Sequence, residues 1–105
     1  MKSTINHRKN HVPAALQGIL WSINVNKLDI EKDKEYIIHQ ILMYGTLKEI
    51  RWLIQTYGLG TVKRVFQKNP VKIYTPAAFH FIINLLLGLR RKRLDSSRYV
   101  AQSKF

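Results

Sequence analysis

The chain has 105 residues, 46% of them hydrophobic, no cysteine, and 18 Lys and Arg against 6 Asp and Glu, a formal charge of +12. That length supports one small core, and the missing cysteine excludes disulfides, thiol catalysis and cysteine-bound zinc, which suits a reducing cytoplasm. The charge speaks to partners rather than to fold and predicts a polyanionic or acidic one.

The excess is unevenly placed. Residues 1–49 hold seven basic and five acidic side chains, net +2, whereas residues 50–105 hold eleven basic ones and only Asp95, net +10. Residues 1–12, "MKSTINHRKNHV", have neither hydrophobic periodicity nor the apolar run of a signal peptide, and are expected to form a flexible basic arm. Pro13 suits the first turn of a short helix over 13–20, whose end Trp21 is expected to close over the core. "SINVNKLDIEKDK" interrupts, and Asp29 is placed to cap the next helix. From 30 to 43, Ile30, Ile37, Ile38, Ile41 and Leu42 recur at helical spacing, with Glu31, Asp33 and Glu35 where the helix dipole favours them; Gly45 ends that helix.

Thr46 and Glu49 are spaced as a capping box, the clearest helix start in the chain. Leu47, Ile50, Leu53, Ile54 and Tyr57 then make one apolar stripe, with Lys48, Arg51 and Gln55 on another side. Trp52 falls one position off the stripe, which predicts a border position with part of its ring open to a partner. Gly58 tolerates a left-handed conformation and starts a turn. "GTVKRVFQKN" reads as a second short helix capped by Thr61, with Val62, Val65 and Phe66 inward and Lys63, Arg64, Gln67 and Lys68 outward, until Asn69-Pro70 stops it. "KIY" allows a short strand at most.

Thr75-Pro76 opens a last helix reaching about Leu87. It is apolar on more than one side, so Phe79, Phe81 and Leu85 are candidates, with Trp52, for contact with a protein partner or a second copy of the chain. At this length it cannot span a membrane, which needs about 20 apolar residues. "RRKRLDSSRYVAQSKF" follows as a basic tail. The expected architecture is an all-α bundle of about five short helices over residues 13–89, containing a helix-turn-helix-like pair, between the arm at 1–12 and the tail at 90–105.

No constellation for catalysis is visible. The acidic residues crowd helix starts, His39 and His80 stand singly on separate helices, and His7 and His11 lack a third metal ligand, so no metal or cofactor is expected. Gly58 and Gly60 follow a helix, the wrong context for a dinucleotide loop. Binding is the remaining class. Lys63, Arg64, Gln67 and Lys68 are chemically suited to base edges or phosphates, and the cluster Arg90, Arg91, Lys92 and Arg93, with Lys2, Arg8 and Lys9 of the arm, could add phosphate contacts.

Leu20, Trp21, Leu28, Asp29, Tyr36, Ile37, Ile38, Leu42, Tyr44, Gly45, Arg51, Trp52, Leu53, Tyr57 and Gly58 form a pattern that resembles a small prokaryotic family of helical proteins. "VKRVF" and "IYTPAAFHF" extend the likeness over about residues 20–87. Members of that family are often encoded beside nucleotidyltransferase-like toxins of the AbiEii class. The resemblance therefore implies an antitoxin or accessory partner of such a toxin; with the residue reading it gives a cytoplasmic antitoxin that neutralises the toxin and could bind operator DNA, with a stand-alone helix-turn-helix DNA- or RNA-binding protein as the alternative and a subunit of a ribonucleoprotein as a third. The basic arm and tail depart from the family's usual pattern and add weight to a nucleic-acid role.

Overall fold

The computed structural model describes residues 11–89 and 94–101. Among the described residues four α-helices carry the fold: α1 (Lys34–Tyr44), α2 (Leu47–Tyr57), α3 (Leu59–Lys68) and α4 (Pro76–Phe81), the last continuing as a π-helical turn, Ile82–Leu86. Single 3-10 turns lie at Ala14–Leu16, Val25–Lys27 and Ser96–Arg98. Among the described residues the only β pairing is two isolated bridges, His11 with Asp29 and Tyr74 with Val100. The all-α expectation holds at this level, with four α-helices in place of about five.

The missing helix is the one expected over 13–20. Its competitor is Gln17, whose amide donates to the Leu20 and Ile23 carbonyls and accepts from the Val25 amide, each at 2.9 Å, which wraps the backbone into a loop instead of a further helical turn. Leu20, fully buried, closes over the core. Trp21, expected to do so, points outward. The helix expected from residue 30 begins four residues later. Asp29 accepts from the amides of Glu31 and Lys32, while the Asp33 carboxylate accepts from the amide of Asp29, so the two aspartates close a turn ahead of α1 and Asp29 does not cap it. Ile37 to Leu42 are buried without interruption, which makes α1 the central helix.

The capping box at Thr46 and Glu49 is formed. Gly58 ends α2 and starts α3 in one residue, with φ 88° and ψ 144°. Thr61, expected as the cap of α3, lies inside the helix, because Gly58 already supplies the carbonyl for the Val62 amide at 3.1 Å. Thr75 caps α4 by accepting from the Ala78 amide at 3.1 Å, with Pro76 in the first turn. Beyond Phe81 the helix widens; the Leu87 amide reaches back to the Ile82 carbonyl, and Gly88 at φ 61° ends the turn.

An aromatic cluster joins the two halves of the chain. Phe66 of α3 stacks on Tyr99 with ring centroids 4.5 Å apart and also meets Tyr74 and Phe79. The Tyr99 hydroxyl donates to the Phe66 carbonyl at 2.6 Å, and the backbone of Tyr74 bonds to Tyr99 and Ala101. Tyr99 therefore belongs to the core, with Leu94 and Val100 packed against it, and it ties the otherwise exposed segment 94–101 to the domain. At the other end Val12 is buried, so the arm is anchored at its last residue. "KIY" forms no strand; Tyr74 is its buried anchor.

Candidate functional site

α3 presents its apolar residues Val62, Val65 and Phe66 to the core, as the spacing predicts. Helical geometry then turns the positions between them outward together. Arg64 and Lys68 are exposed, and Lys63 and Gln67 are half-buried beside them. Arg64 reaches the Thr61 hydroxyl at 3.3 Å, a bond between neighbouring turns that steadies the guanidinium on the surface. Thus the four side chains singled out in the sequence share one surface.

The fold adds a second group of charges near α3 where the sequence offered no signal. Docking of Tyr99 on the Phe66 carbonyl brings the C-terminal segment to the end of α3. Lys72 and Arg98 there flank Asp95, whose carboxyl is held below its usual range chiefly by the Ser97 hydroxyl and amide, with the two cations adding. Arg90, Arg91, Lys92 and Arg93 lie outside the described residues, as do Lys2, Arg8 and Lys9. The joint between α2 and α3 is Gly58 alone, shorter than the turn of about three to four residues in a DNA-reading helix-turn-helix.

The expected partner residues separate. Phe79 is buried in the aromatic cluster between Phe66 and Tyr99, so it has no surface to offer a partner; the sequence hides this because Tyr99, which covers it, is twenty residues away. Phe81 is exposed. The side chain of Leu85 lies outside the described residues. Trp52 is half-buried, edge-on to Tyr57, and lines a groove of about 190 Å³ with Pro13, Ala15, Leu16, Lys48 and Glu49. Sequence reasoning missed an exposed pair, Trp21 and Tyr44, whose rings meet edge to face at 6.0 Å. Tyr44 follows the apolar run of α1 at its very end, the one signal that could have placed it outside.

His39 is buried and fully engaged. A carbonyl can only accept, so the Nε2 proton goes to the Asn69 carbonyl at 2.7 Å, and Nδ1 accepts from the Tyr74 hydroxyl at 2.6 Å. Burial pushes its pKa below 6.5, against smaller opposing effects of the Asn69 carbonyl and Glu35, and so keeps the ring neutral. It has no open coordination or substrate position, which makes it a structural histidine. Among the described residues no three His, Cys, Asp or Glu side chains converge as metal ligands, and no helix is long and apolar enough to cross a membrane.

Residues 16–66 match a family of unknown function (DUF6922). The matched stretch runs from the first 3-10 turn to Phe66 and includes the Gln17 loop, Trp21, Tyr44, Trp52 and most of α3. No curated protein and no solved structure matches the chain.

Proposed function

We propose that this is a non-enzymatic binding protein that contacts nucleic acid through α3 and pairs with a second protein, in the manner of an antitoxin that neutralises a nucleotidyltransferase-like toxin. The observation that carries the nucleic-acid half is the shared outward surface of Lys63, Arg64, Gln67 and Lys68. Cations so grouped, in a chain of +12, attract a phosphate backbone and release its counterions. The one-residue joint at Gly58 favours backbone contact over base reading, because it does not give α3 the projection of a helix-turn-helix recognition helix. The antitoxin half is supported by the resemblance over residues 20–87.

The alternative is a nucleic-acid binder with no toxin, favoured by the concentration of net +10 in residues 50–105. Replacing Lys63, Arg64 and Lys68 together by Ala is expected to weaken duplex binding and to lower the slope of log affinity against log salt by about 2 to 3, near 0.9 for each phosphate no longer neutralised. An unchanged slope removes α3 from the interface. Expression of a neighbouring nucleotidyltransferase gene with and without this protein separates the two readings: toxicity relieved by this protein supports the antitoxin, and a harmless or absent neighbour the stand-alone binder.

A further inference from the structure

Among the described residues, four of the six large hydrophobic side chains that stand exposed lie on two short segments: Trp21 and Ile23, and Tyr44 and Leu47. The Trp21–Tyr44 ring contact brings the segments together. Trp21 is 60% exposed, Tyr44 47% and Leu47 72%, far more than packing against this chain's own core requires. The loop that carries Trp21 is held by three bonds from Gln17, and by the Gln40 amide on the Ile19 carbonyl at 3.2 Å and the Ser22–Tyr36 hydroxyl pair at 2.7 Å. The backbone that carries the tryptophan is thus held in place, and an aromatic on a pre-ordered loop costs less ordering on binding. From Leu47 the apolar strip continues along α2 into an open depression of about 300 Å³ lined by Ile50, Arg51, Ile54 and Gln55.

We infer that this strip, from Trp21 across Tyr44 and Leu47 to Ile54, is a docking site for an acidic amphipathic segment of a partner protein. This rests on the protein-partner half of the proposed function and is independent of α3. Charge selects the occupant. Arg51 lines the depression and Lys48 is exposed next to Leu47 on α2, whereas Glu49 of the same helix is turned back onto the Thr46 amide and hydroxyl; Asp29, Glu31 and Asp33 act on Tyr57, three residues past the end of the strip. A second copy would set Lys48 and Arg51 against themselves in a two-fold contact, between chains of +12 each. Single-stranded nucleic acid would stack on Trp21 and Tyr44, yet it gains little from Ile23 and Leu47, which offer no ring. Leucine-type side chains flanked by Glu satisfy both the apolar strip and its cationic rim.

The test uses the full chain and three synthetic helical peptides of one design, with Leu along one face and Glu, Lys or Ser on the flanks, followed by fluorescence anisotropy. The Glu peptide is expected to bind in preference to the other two. Trp21→Ala and Leu47→Ser should each weaken it by about tenfold or more, while duplex DNA binding, which reads α3 separately, stays unchanged. Lys48→Glu with Arg51→Glu should transfer the preference to the Lys peptide, which mere loss of folding cannot do. Equal binding of the three peptides, absence of binding, or binding that survives Trp21→Ala and Leu47→Ser overturns the inference. So does self-association in sedimentation that Trp21→Ala abolishes, which assigns the strip to a second copy. Oligo-dT that quenches Trp21 in a Trp52→Phe background and displaces the Glu peptide assigns it to single-stranded nucleic acid instead.

Discussion

His39 ties stability to pH through one ring. Its folded pKa lies below the ordinary 6.5 because burial penalises the imidazolium, so the unfolded chain takes up the proton more readily than the native one. The stabilisation is therefore complete above about pH 6.5 and declines as the pH falls through that value, at most by about 1.4 kcal/mol per pH unit. Protonation would also give Nδ1 a hydrogen directed at the Tyr74 hydroxyl, which would have to turn to the His39 carbonyl, 3.4 Å away. Urea midpoints measured from pH 7.5 to 5.5 should fall for the native chain and stay nearly level for His39→Gln. A parallel decline in both would show that other groups govern the acid limb. In the sequence His39 was one histidine among Ile and Leu; nothing there revealed Asn69 and Tyr74 as its partners, which lie 30 and 35 residues away.

Helix boundaries set by local chemistry were legible, and those contested by side chains were not. The Thr46–Glu49 box, the Thr75–Pro76 start and the Asn69-Pro70 stop depend on neighbours three or four residues apart, and all are present. Gln17, Asp29 and Asp33 bind backbone groups that a helix would otherwise use, a competition that apolar spacing does not register. Gly58 carries the sharpest constraint. At φ 88° and ψ 144°, with no heavy atom within 4 Å of an added Cβ, the obstacle to a side chain is backbone strain and not space. Gly58→Ala should cost about 1 to 3 kcal/mol, seen as a lower denaturation midpoint without change in helix content at 5 °C. A neutral result would mean that the α2–α3 joint relaxes to another conformation.

Across the whole molecule the decisive contact is Tyr99 on Phe66. It turns a sequence that reads as a basic tail into a strap over the aromatic cluster, covers Phe79, and brings Arg98 to the end of α3. Tyr99→Ala removes a buried ring and should destabilise the fold by about 3 to 5 kcal/mol, by analogy with other large-to-small core changes. Tyr99→Phe keeps the ring and leaves the Phe66 carbonyl without its hydroxyl, at about 1 to 3 kcal/mol. Equal losses for both would assign the strap's stabilisation to the hydrogen bond, and the expected difference assigns most of it to packing. Chemical denaturation followed by near-ultraviolet circular dichroism reports directly on this aromatic cluster.

The sequence alone determined the helical class, the sharply capped starts of α2 and α4, the inward triplet Val62, Val65 and Phe66, and with it the outward grouping of Lys63, Arg64, Gln67 and Lys68. Each follows from chain-local geometry, a period of 3.6 residues or a bond across one turn. Only the tertiary structure decided that Phe79 is enclosed, that Trp21 faces outward beside Tyr44, and that Tyr99 closes the core. Burial depends on what lies opposite in space. For Phe79 the opposing group comes from twenty residues away, and Trp21 has only the edge of Tyr44 against it among the described residues; no spacing along the sequence encodes that.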